Sequence, residues 1–410
     1  MSLAQRPEVW SLTFDEESAS PVRVGVAGLG RAFVLSRTAF VEDPRVRLIA
    51  AAEPREVSRK AFVQEFGGKA YQTVDDLCGD ADVELVYVST PHEFHFEHVR
   101  KAAAAGKHVL VEKPLAISLD DGIRMTEACS AAGVHLIIGP SHSFDIPVQM
   151  ARAIIREGEF GRLRLINAFN YTDFLYRPRR PEELDTARGG GVVFSQGVHQ
   201  IDIVRLLAGG LVRQVSAYTG SWDPKRPTEG AYIAQLAFDG CIASMTYSGY
   251  GFFDSDEWMD GFGELGARKN MQAYGSARRA LKARGAASEM ELKAARTYGL
   301  ADRPSAPESY EHFGPIIVSL EKADLRLTPA GLHIYAEDRR EFRPTPPFRF
   351  PRSEMTAAIH SAVRLHRPPV QSGRWGLASL EVCHAILKSA ANNAPVRLKH
   401  QVGANDHVGS

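Results

Sequence analysis

The feature that most restricts the fold is a short apolar stretch that ends in a glycine turn. Residues 22–26 alternate valine with arginine or glycine, which predicts a strand. The chain then passes through Gly28-Leu29-Gly30, and the residues that follow predict a helix over 31–41. A glycine pair at such a position permits a tight turn and lets a phosphate approach the helix N-terminus, although a purely structural turn would share the pattern. Phe33 replaces the third glycine of GxGxxG, which changes helix–strand packing more than phosphate contact.

Strands and helices continue to alternate up to about residue 143. Apolar strands are predicted at residues 46–52, 85–88, 109–111 and 135–138, with helices between most of them. This alternation is typical of βαβ units and a parallel sheet. Longer alternating stretches follow and indicate an antiparallel sheet, at residues 163–171, 212–219, 232–238 and 242–247.

The predicted fold is therefore α/β with two domains. Residues 21–143 are predicted to form the parallel-sheet domain and residues 144–400 the antiparallel-sheet domain. Residues 254–307 are rich in Arg, Lys, Ala and Gly and are predicted to be an insertion in the second domain. Residues 1–20 are predicted to be a loose extension, and residues 401–410 a disordered tail.

Composition gives no support to polyanionic partners. Lys plus Arg equals Asp plus Glu at 49 each, so neither nucleic-acid nor polybasic membrane binding is predicted. Residues 1–19 lack the apolar core of a signal peptide, and no apolar run is long enough to predict a membrane span. The four cysteines form no CxxC pair, which predicts free thiols and no metal site. We therefore predict a cytoplasmic protein that acts on a small molecule.

Residues at several predicted strand ends fit contacts to a dinucleotide. Glu53 ends the second strand, where a carboxylate accepts ribose hydroxyls and repels a 2′-phosphate, which favours NAD. Arg55 could instead meet a 2′-phosphate, so NADP stays open. Thr90-Pro91-His92 ends another strand and His95 follows it, although helix capping explains both histidines equally well. The predicted cofactor-binding residues are Gly28, Leu29, Gly30, Arg31, Ala32, Glu53, Arg55, Thr90, Pro91, His92, His95, Glu112 and Lys113.

A lysine and a histidine are the predicted catalytic residues. Lys113 lies in Glu112-Lys113-Pro114 at a strand end, and ligands of open α/β sheets bind beyond such ends. Ser195 and His199 are one helical turn apart after a run of three glycines, and His199 could carry a substrate proton. Asp202, three residues later, could orient the imidazole. The alternatives are a surface lysine and a structural histidine.

These motifs together resemble the Gfo/Idh/MocA oxidoreductases. The similar segments are Gly28-Leu29-Gly30, Glu112-Lys113-Pro114 and the stretch from Gly189 to Asp202, and the resemblance covers about residues 22–400. It implies that the N-terminal domain is a Rossmann NAD(P)-binding domain. It also implies that the C-terminal α/β domain has a large, mostly antiparallel open sheet, through which the chain forms a homo-oligomer, a dimer or a tetramer.

The same resemblance implies the site chemistry. Lys113 and His199 would work together at the carbon that loses or gains a hydride. Members of the family often have Asp four residues before the histidine, where this chain has Ser195. A proton relay through that carboxylate is therefore not implied, and Ser195, Asp202 or a substrate group would have to replace it.

Within the family, the chain is similar to phthalate 4,5-cis-dihydrodiol dehydrogenases. The similar residues are Gly28 to Phe33, His142-Ser143-Phe144-Asp145, residues 171–191 and Ser195. The similarity implies oxidation of an aromatic cis-dihydrodiol carboxylate such as phthalate 4,5-cis-dihydrodiol. The predicted substrate residues are Tyr176, Arg177, Arg179, Arg180, Ser195 and Asp202.

The arginines among them suit an anionic substrate, because guanidinium groups bind carboxylates through two hydrogen bonds. A solvated basic loop or a set of inter-subunit ion pairs explains them as well. Three other functions fit the same fold: a sugar or polyol dehydrogenase, an NAD-retaining glycosidase and a non-catalytic dinucleotide-dependent ligand sensor.

Overall fold

Two β-sheets organise the chain in the computed structural model, which describes residues 20–139, 141–273, 275–284, 289–300 and 305–405. The first sheet has six parallel strands in the order β3-β2-β1-β4-β5-β6. The strands are β1 (Val22–Ala27), β2 (Val46–Ala52), β3 (Lys69–Tyr71), β4 (Leu85–Val88), β5 (His108–Val111) and β6 (Leu136–Ile138). The strand order reverses between β1 and β4, and a crevice at such a reversal is where doubly wound folds bind ligands. The predicted Rossmann domain is confirmed.

Helices connect the parallel strands as the sequence predicted. They are α1 (Arg31–Glu42), α2 (Glu56–Phe66), α3 (Val74–Cys78), α4 (His95–Ala104) and α5 (Leu119–Ala131). Strand β4 is buried at all four positions, as expected for a parallel strand that is covered by helices on both faces.

The second sheet has nine strands in the order β14-β13-β12-β11-β7-β10-β9-β8-β15. The strands are β7 (Leu163–Tyr171), β8 (Gln214–Gly220), β9 (Ala231–Ala237), β10 (Ile242–Ser248), β11 (Ile316–Leu320), β12 (Ala323–Thr328), β13 (Gly331–Ala336), β14 (Arg340–Pro344) and β15 (Val396–Arg397). Strands β7 and β10 pair in parallel, and the other neighbouring pairs are antiparallel. The large, mostly antiparallel sheet is confirmed.

The remaining helices cover this sheet and link it to the first. They are α6 (Ile146–Glu157), α7 (Val198–Leu207), α8 (Ser276–Arg284), α9 (Glu289–Ala295), α10 (Ser353–Leu365) and α11 (Gly373–Asn392). None of the helices in the described part of the chain has both the length and the apolar character of a membrane-crossing segment.

Helix α10 lies in the Rossmann core, although the sequence prediction placed it in the C-terminal domain. Its buried Met355 and Ile359 belong to the same apolar cluster as Val24, Phe33 and Tyr87. Hydrophobic spacing predicts which face of a helix is buried but not which sheet covers it. The chain therefore returns to its first domain near its C-terminal end.

The packed structure also continues beyond residue 400. Gln401 accepts a hydrogen bond from the buried Arg205 and donates one to the carbonyl of Ala378, while Ala404 is buried. Residues 401–405 therefore pack against the domain, where the sequence analysis predicted a disordered tail. Residues 406–410 and 1–19 lie outside the described residues.

The segment predicted to be an insertion, residues 254–307, reaches the glycine turn of the Rossmann domain through Tyr298. The backbone N–H of Tyr298 donates to the Leu29 carbonyl at 3.1 Å, and the Tyr298 carbonyl accepts a hydrogen bond from Ser58 at 2.7 Å. The Tyr298 ring packs edge-on against Phe33, with ring centroids 5.2 Å apart. Phe33, which replaces the third glycine of the motif, therefore packs between the glycine turn and the segment that contains Tyr298.

Candidate active site

The glycine turn has the conformation that a dinucleotide site needs. Gly28 has φ +91°, and a Cβ built on it would lie 2.9 Å from the Cγ2 of Thr90. The N-cap residue of α1 is Gly30, which has no side chain to cap the helix, so the first N–H groups of α1 remain available as donors. A cavity of about 320 Å³ opens here, which we call the glycine-turn cavity. Its lining includes Gly30, Arg31, Ser89, Thr90, Pro91 and His92 from the Rossmann domain.

Glu53 is bound to the glycine turn itself. Its carboxylate accepts hydrogen bonds from the Leu29 N–H at 2.8 Å and from the Nε of Arg55 at 2.8 Å. Arg55 also donates to the Leu29 carbonyl at 3.2 Å. Burial alone would raise the pKa of Glu53, but the hydrogen bonds from Arg55 and Leu29 lower it below its usual value. The ionised pair therefore holds the turn in place beside the position predicted for the ribose.

His95 lies behind the cavity wall. One ring nitrogen is 3.1 Å from the Pro114 carbonyl and the other 3.1 Å from the Thr90 carbonyl, and the side chain is buried. Burial lowers the pKa of His95 to about 4, so the ring is neutral at neutral pH. The histidine joins two strand-end loops, which makes it a positioning residue for Lys113 and Thr90.

The structure brings Lys113 and His199 into one cavity of about 270 Å³, which we call the lysine cavity. Lys113 follows β5, and its Nζ donates to the Ser195 carbonyl at 2.7 Å. Burial lowers the pKa of Lys113, although the carboxylates of Glu112 and Glu264 act in the opposite direction. Ala32 and Glu112 also line this cavity.

His199 is the second residue of α7, which begins directly after a wide helical turn at Val193–Gly197. Its imidazole is buried, and the Nδ1 atom has no hydrogen-bond partner among the described residues. Burial lowers the pKa of His199 well below its usual value, and the charges of Lys113 and His142 lower it further. The ring is therefore neutral. Its centroid lies 4.7 Å from that of His142.

The two cavities are adjacent. Arg31, Thr90, His92 and Glu183 line both of them. A molecule bound along the glycine turn would therefore reach the edge of the space that Lys113 and His199 enclose. This adjacency is the geometry that hydride transfer between a dinucleotide and a small substrate requires.

Asp202 does not orient the His199 imidazole, contrary to the expectation from sequence. Its carboxylate accepts hydrogen bonds from the Ser141 hydroxyl and from the indole N–H of Trp375. Helix α11 brings Trp375 to this place, and a buried indole N–H needs an acceptor. Ser195 lines the glycine-turn cavity, whereas His199 lines the lysine cavity.

Most of the predicted basic cluster is engaged within the chain. Arg177 pairs with Asp173 at 3.0 Å, and the Arg179 guanidinium stacks 3.5 Å above the ring of Phe174. The Tyr176 ring is stacked by Arg278 at 3.9 Å. Arg180 pairs with Glu182 at 3.1 Å and lines the glycine-turn cavity. Of the predicted substrate residues, Arg180 and Ser195 line the glycine-turn cavity.

Sequence reasoning missed five charged or titratable residues of the lysine cavity: His142, Glu183, Glu264, Glu311 and Arg352. Burial would lower the pKa of His142, but the carboxylates of Asp145 and Glu264 raise it to about 10. Burial would raise the pKa of Glu264, but His142 and Arg177 lower it to about 2. The sequence analysis used His142 only as part of the segment 142–145 that resembles the phthalate dihydrodiol dehydrogenases, and gave it no role in the site. Glu264 and Arg352 carry no local motif that could have shown them.

The fold and the paired cavities define an NAD-binding oxidoreductase. Residues 22–139 match the model of the oxidoreductase family with an NAD-binding Rossmann fold, and residues 148–268 match the GFO/IDH/MocA C-terminal domain. The chain is 42% identical over 374 residues to 1-carboxy-3-chloro-3,4-dihydroxycyclohexa-1,5-diene dehydrogenase of Comamonas testosteroni, covering 90% of this chain and 94% of that protein. The chain belongs to the Gfo/Idh/MocA family, as its motifs predicted.

Two further similarities extend the comparison. A solved structure of a Bordetella bronchiseptica RB50 protein has a TM-score of 0.88 and 40% identity, covering 92% of this chain and 100% of that one. The 1,5-anhydro-D-fructose reductase of Ensifer adhaerens is 34% identical over 192 residues, which are 45% of this chain and 55% of that protein. The similarity to the Comamonas protein therefore covers about twice as much of this chain as the similarity to the sugar reductase.

The glycine turn allows a controlled test of the cofactor site. Gly28→Ala is expected to weaken NAD binding by roughly tenfold, about 1.4 kcal/mol, because the new methyl group would strain the backbone and press on Thr90. Gly67→Ala is the matched control, since Gly67 has φ +64° but no atom within 4 Å of an added Cβ. Isothermal titration with NAD would compare the two variants. Equal affinity in both would contradict the assignment.

Proposed function

We propose that this enzyme oxidises a cis-dihydrodiol that carries a ring carboxylate, with NAD as the hydride acceptor. The observation that carries the proposal is the convergence of Lys113 and His199 in a cavity next to the glycine turn. The substrate class is supported by the Comamonas testosteroni relative, whose name specifies a carboxylated dihydroxycyclohexadiene. That similarity covers almost the whole of both chains.

The glycine-turn residues fit NAD. The uncapped N-terminus of α1 supplies N–H donors for a pyrophosphate, and the absence of a side chain at Gly28 leaves the turn close to Thr90. Ionised Glu53 beside Leu29 disfavours the extra phosphate of NADP, and Arg55 is already paired with that carboxylate. We therefore favour NAD over NADP. When bound, NAD supplies the acceptor for the hydride of the carbinol carbon.

Lys113 is the base in this proposal. Burial lowers the pKa of Lys113, so a larger fraction of the amine is neutral and able to accept the proton of a substrate hydroxyl. The hydrogen bond to the Ser195 carbonyl fixes the position of its Nζ. His199 lines the same cavity and contributes to holding the hydroxyl oxygen there. Loss of the proton and of the hydride leaves a hydroxy-ketone that tautomerises to a catechol. The aromaticity of the catechol makes the oxidation favourable.

The test is NADH formation, followed by absorbance, across three substrate classes with NAD and NADP. We expect turnover of a carboxylated cis-dihydrodiol, a much lower kcat/KM for the same diol without the carboxylate, and little or none for polyols such as inositol. A preference for the polyol would overturn the proposal in favour of a sugar or polyol dehydrogenase, the function that the partial similarity to the Ensifer reductase favours.

We also propose that the outer face of the nine-stranded sheet packs against a second copy of the chain. Tyr218, Ile233 and Ile242 are each more than half exposed there, and Tyr218 and Ile233 are paired on neighbouring strands. Light scattering after size-exclusion chromatography is expected to show an oligomer, and Ile233→Glu is expected to shift it toward monomer. A monomeric wild type would contradict the proposed interface.

We place the enzyme in the cytoplasm. Its four cysteines are buried and form no disulfide, which suits a reducing compartment.

A further inference from the structure

Two histidines and a carboxylate meet in the lysine cavity. One ring nitrogen of His142, one of His199 and one carboxylate oxygen of Glu264 all lie within 4.8 Å of one another. We propose that these three side chains hold a divalent cation of the Zn²⁺ type, and that the cation binds the hydroxyl oxygens of the diol. The role toward the diol rests on the proposed function, but the cation site does not.

The spacing suits a metal better than it suits a hydrogen bond. His142 Nε2 lies 3.6 Å from Glu264 Oε1, which is too long for a hydrogen bond between them. Ligand atoms at about 2.0–2.2 Å from a tetrahedral Zn²⁺ are about 3.4 Å apart, close to the separation observed. Two histidines and one glutamate are a donor set that catalytic zinc sites use, with a fourth position left for water or substrate.

The orientation of His142 is that of a metal ligand. Its Nδ1 lies 2.7 Å from the Asp145 carboxylate, so its Nε2 is the nitrogen that faces Glu264. Histidines that bind metals usually donate their other ring N–H to a carboxylate in this way, which fixes the ring. Asp145 would therefore act through His142 as a positioning residue.

His199 provides a second, independent indication. Its imidazole is 6% exposed, and its Nδ1 is buried without a hydrogen-bond partner among the described residues. A buried polar atom without a partner costs about 1–3 kcal/mol, so it commonly marks a place where something else binds. A cation held through Nδ1 would give this nitrogen the partner that it lacks among the described residues.

Charged groups of both signs line the lysine cavity. The carboxylates of Glu112, Glu183 and Glu311 line it with Glu264, and the cations that line it are Arg31, Lys113 and Arg352. Arg352 is paired with Glu311 at 3.2 Å and donates to the hydroxyl of Ser36 at 2.7 Å. A divalent cation held by His142, His199 and Glu264 would place the diol oxygens in the cavity that Lys113 also lines.

This inference departs from the sequence prediction of no metal site. That prediction rested on the spacing of the cysteines. The three ligands come from the turn after β6, from α7 and from the insertion, at positions 142, 199 and 264, so no short spacing could show them.

The experiment uses the full-length protein after treatment with EDTA and dialysis. We expect one Zn²⁺ per chain by calorimetry, and a Co²⁺ absorption spectrum of a four-coordinate site. Glu264→Gln and His142→Asn should each weaken Zn²⁺ binding by roughly 100-fold or more, and Asp145→Asn by roughly 10–100-fold. His333→Asn, a histidine on β13 away from the cavity, is the control and should bind Zn²⁺ as the wild type does. Circular dichroism and NAD titration would show that each variant is folded.

The outcomes separate the cation site from the proposed function. If the wild type takes up no stoichiometric Zn²⁺ or Co²⁺, or if folded Glu264→Gln binds them unchanged, the site does not exist. If metal-free protein oxidises the dihydrodiol as fast as the Zn²⁺-loaded protein, the cation has no role toward the diol and the proposed function stands. If one Zn²⁺ binds in the cavity but no diol is oxidised with it, the site stands and the proposed function fails.

Discussion

Lys113→Met is expected to lower kcat by roughly 10²–10⁴-fold while the affinity for NAD changes by only a few-fold. Methionine keeps much of the length of lysine but has no proton to exchange. The buried amine, held by the Ser195 carbonyl at 2.7 Å, is the group placed to take the hydroxyl proton. The affinity for NAD depends mainly on the glycine turn, which the substitution leaves intact. Single-turnover rates and a fluorescence titration of NADH would measure the two effects separately.

Lys107→Met is the matched control for this experiment. Lys107 stands immediately before β5, whereas Lys113 stands just after it, and its Nζ donates to the Asp80 and Val83 carbonyls at 2.9 and 2.8 Å. Both variants lose a lysine that donates to backbone carbonyls at one end of the same strand. Only the loss of Lys113 should reduce kcat. A kcat for Lys113→Met within a few-fold of the wild type would remove the lysine from the mechanism.

Arg226→Met is expected to destabilise the protein by about 3–5 kcal/mol, because it leaves the buried Glu289 carboxylate without its charged partner. Arg226 and Glu289 form two parallel hydrogen bonds of 3.0 Å, and their side chains are 4% and 7% exposed. Glu289 belongs to α9, and Met290, Lys293 and Ala294 of that helix line the glycine-turn cavity. The substitution should therefore also lower the affinity for NAD. Urea unfolding would measure the free energy of unfolding, and a titration with NAD would measure the affinity.

Two controls separate the cost of the buried charge from other effects. Lys60→Met removes a lysine from the exposed Lys60–Glu56 pair, whose side chains are 77% and 67% exposed, and should leave the free energy of unfolding nearly unchanged, because solvent screens such a pair. The double variant Arg226→Met with Glu289→Leu should recover part of the loss, since no unpaired charge remains. A single variant Arg226→Met as stable as Lys60→Met would show that the pair contributes nothing to holding the insertion.

The parts of the site that could be predicted are those encoded by neighbouring residues. A strand followed by glycines and a helix fixes the turn at Gly28, and an apolar strand before Glu-Lys-Pro places Lys113 at a sheet edge. The carboxyl ends of parallel strands meet at one edge of the sheet, so the sequence predicts that Gly28 and Lys113 lie on the same side of it. His199 was predicted from the glycine run before its helix, and the structure places it with Lys113.

The parts that could not be predicted depend on contacts between distant segments. Helical spacing alone put Asp202 near the imidazole, but its partner Trp375 lies 173 residues away in the sequence. His95 was expected to meet the cofactor, whereas it joins two loops whose proximity only the folded sheet defines. Glu264 reaches the cavity from the insertion and Arg352 from the start of α10. Local patterns contain no information about such approaches.

The position of α10 has a consequence for how the polypeptide is made. One face of the parallel sheet, with Val24 and Tyr87, shares its apolar cluster with Met355 and Ile359. During synthesis this face stays partly uncovered until some 330 further residues have followed β1 out of the ribosome. A fragment that stops at residue 143 would carry the glycine turn but would lack the α10 side chains that share this apolar cluster. The parallel-sheet domain is therefore complete only after α10 has been synthesised.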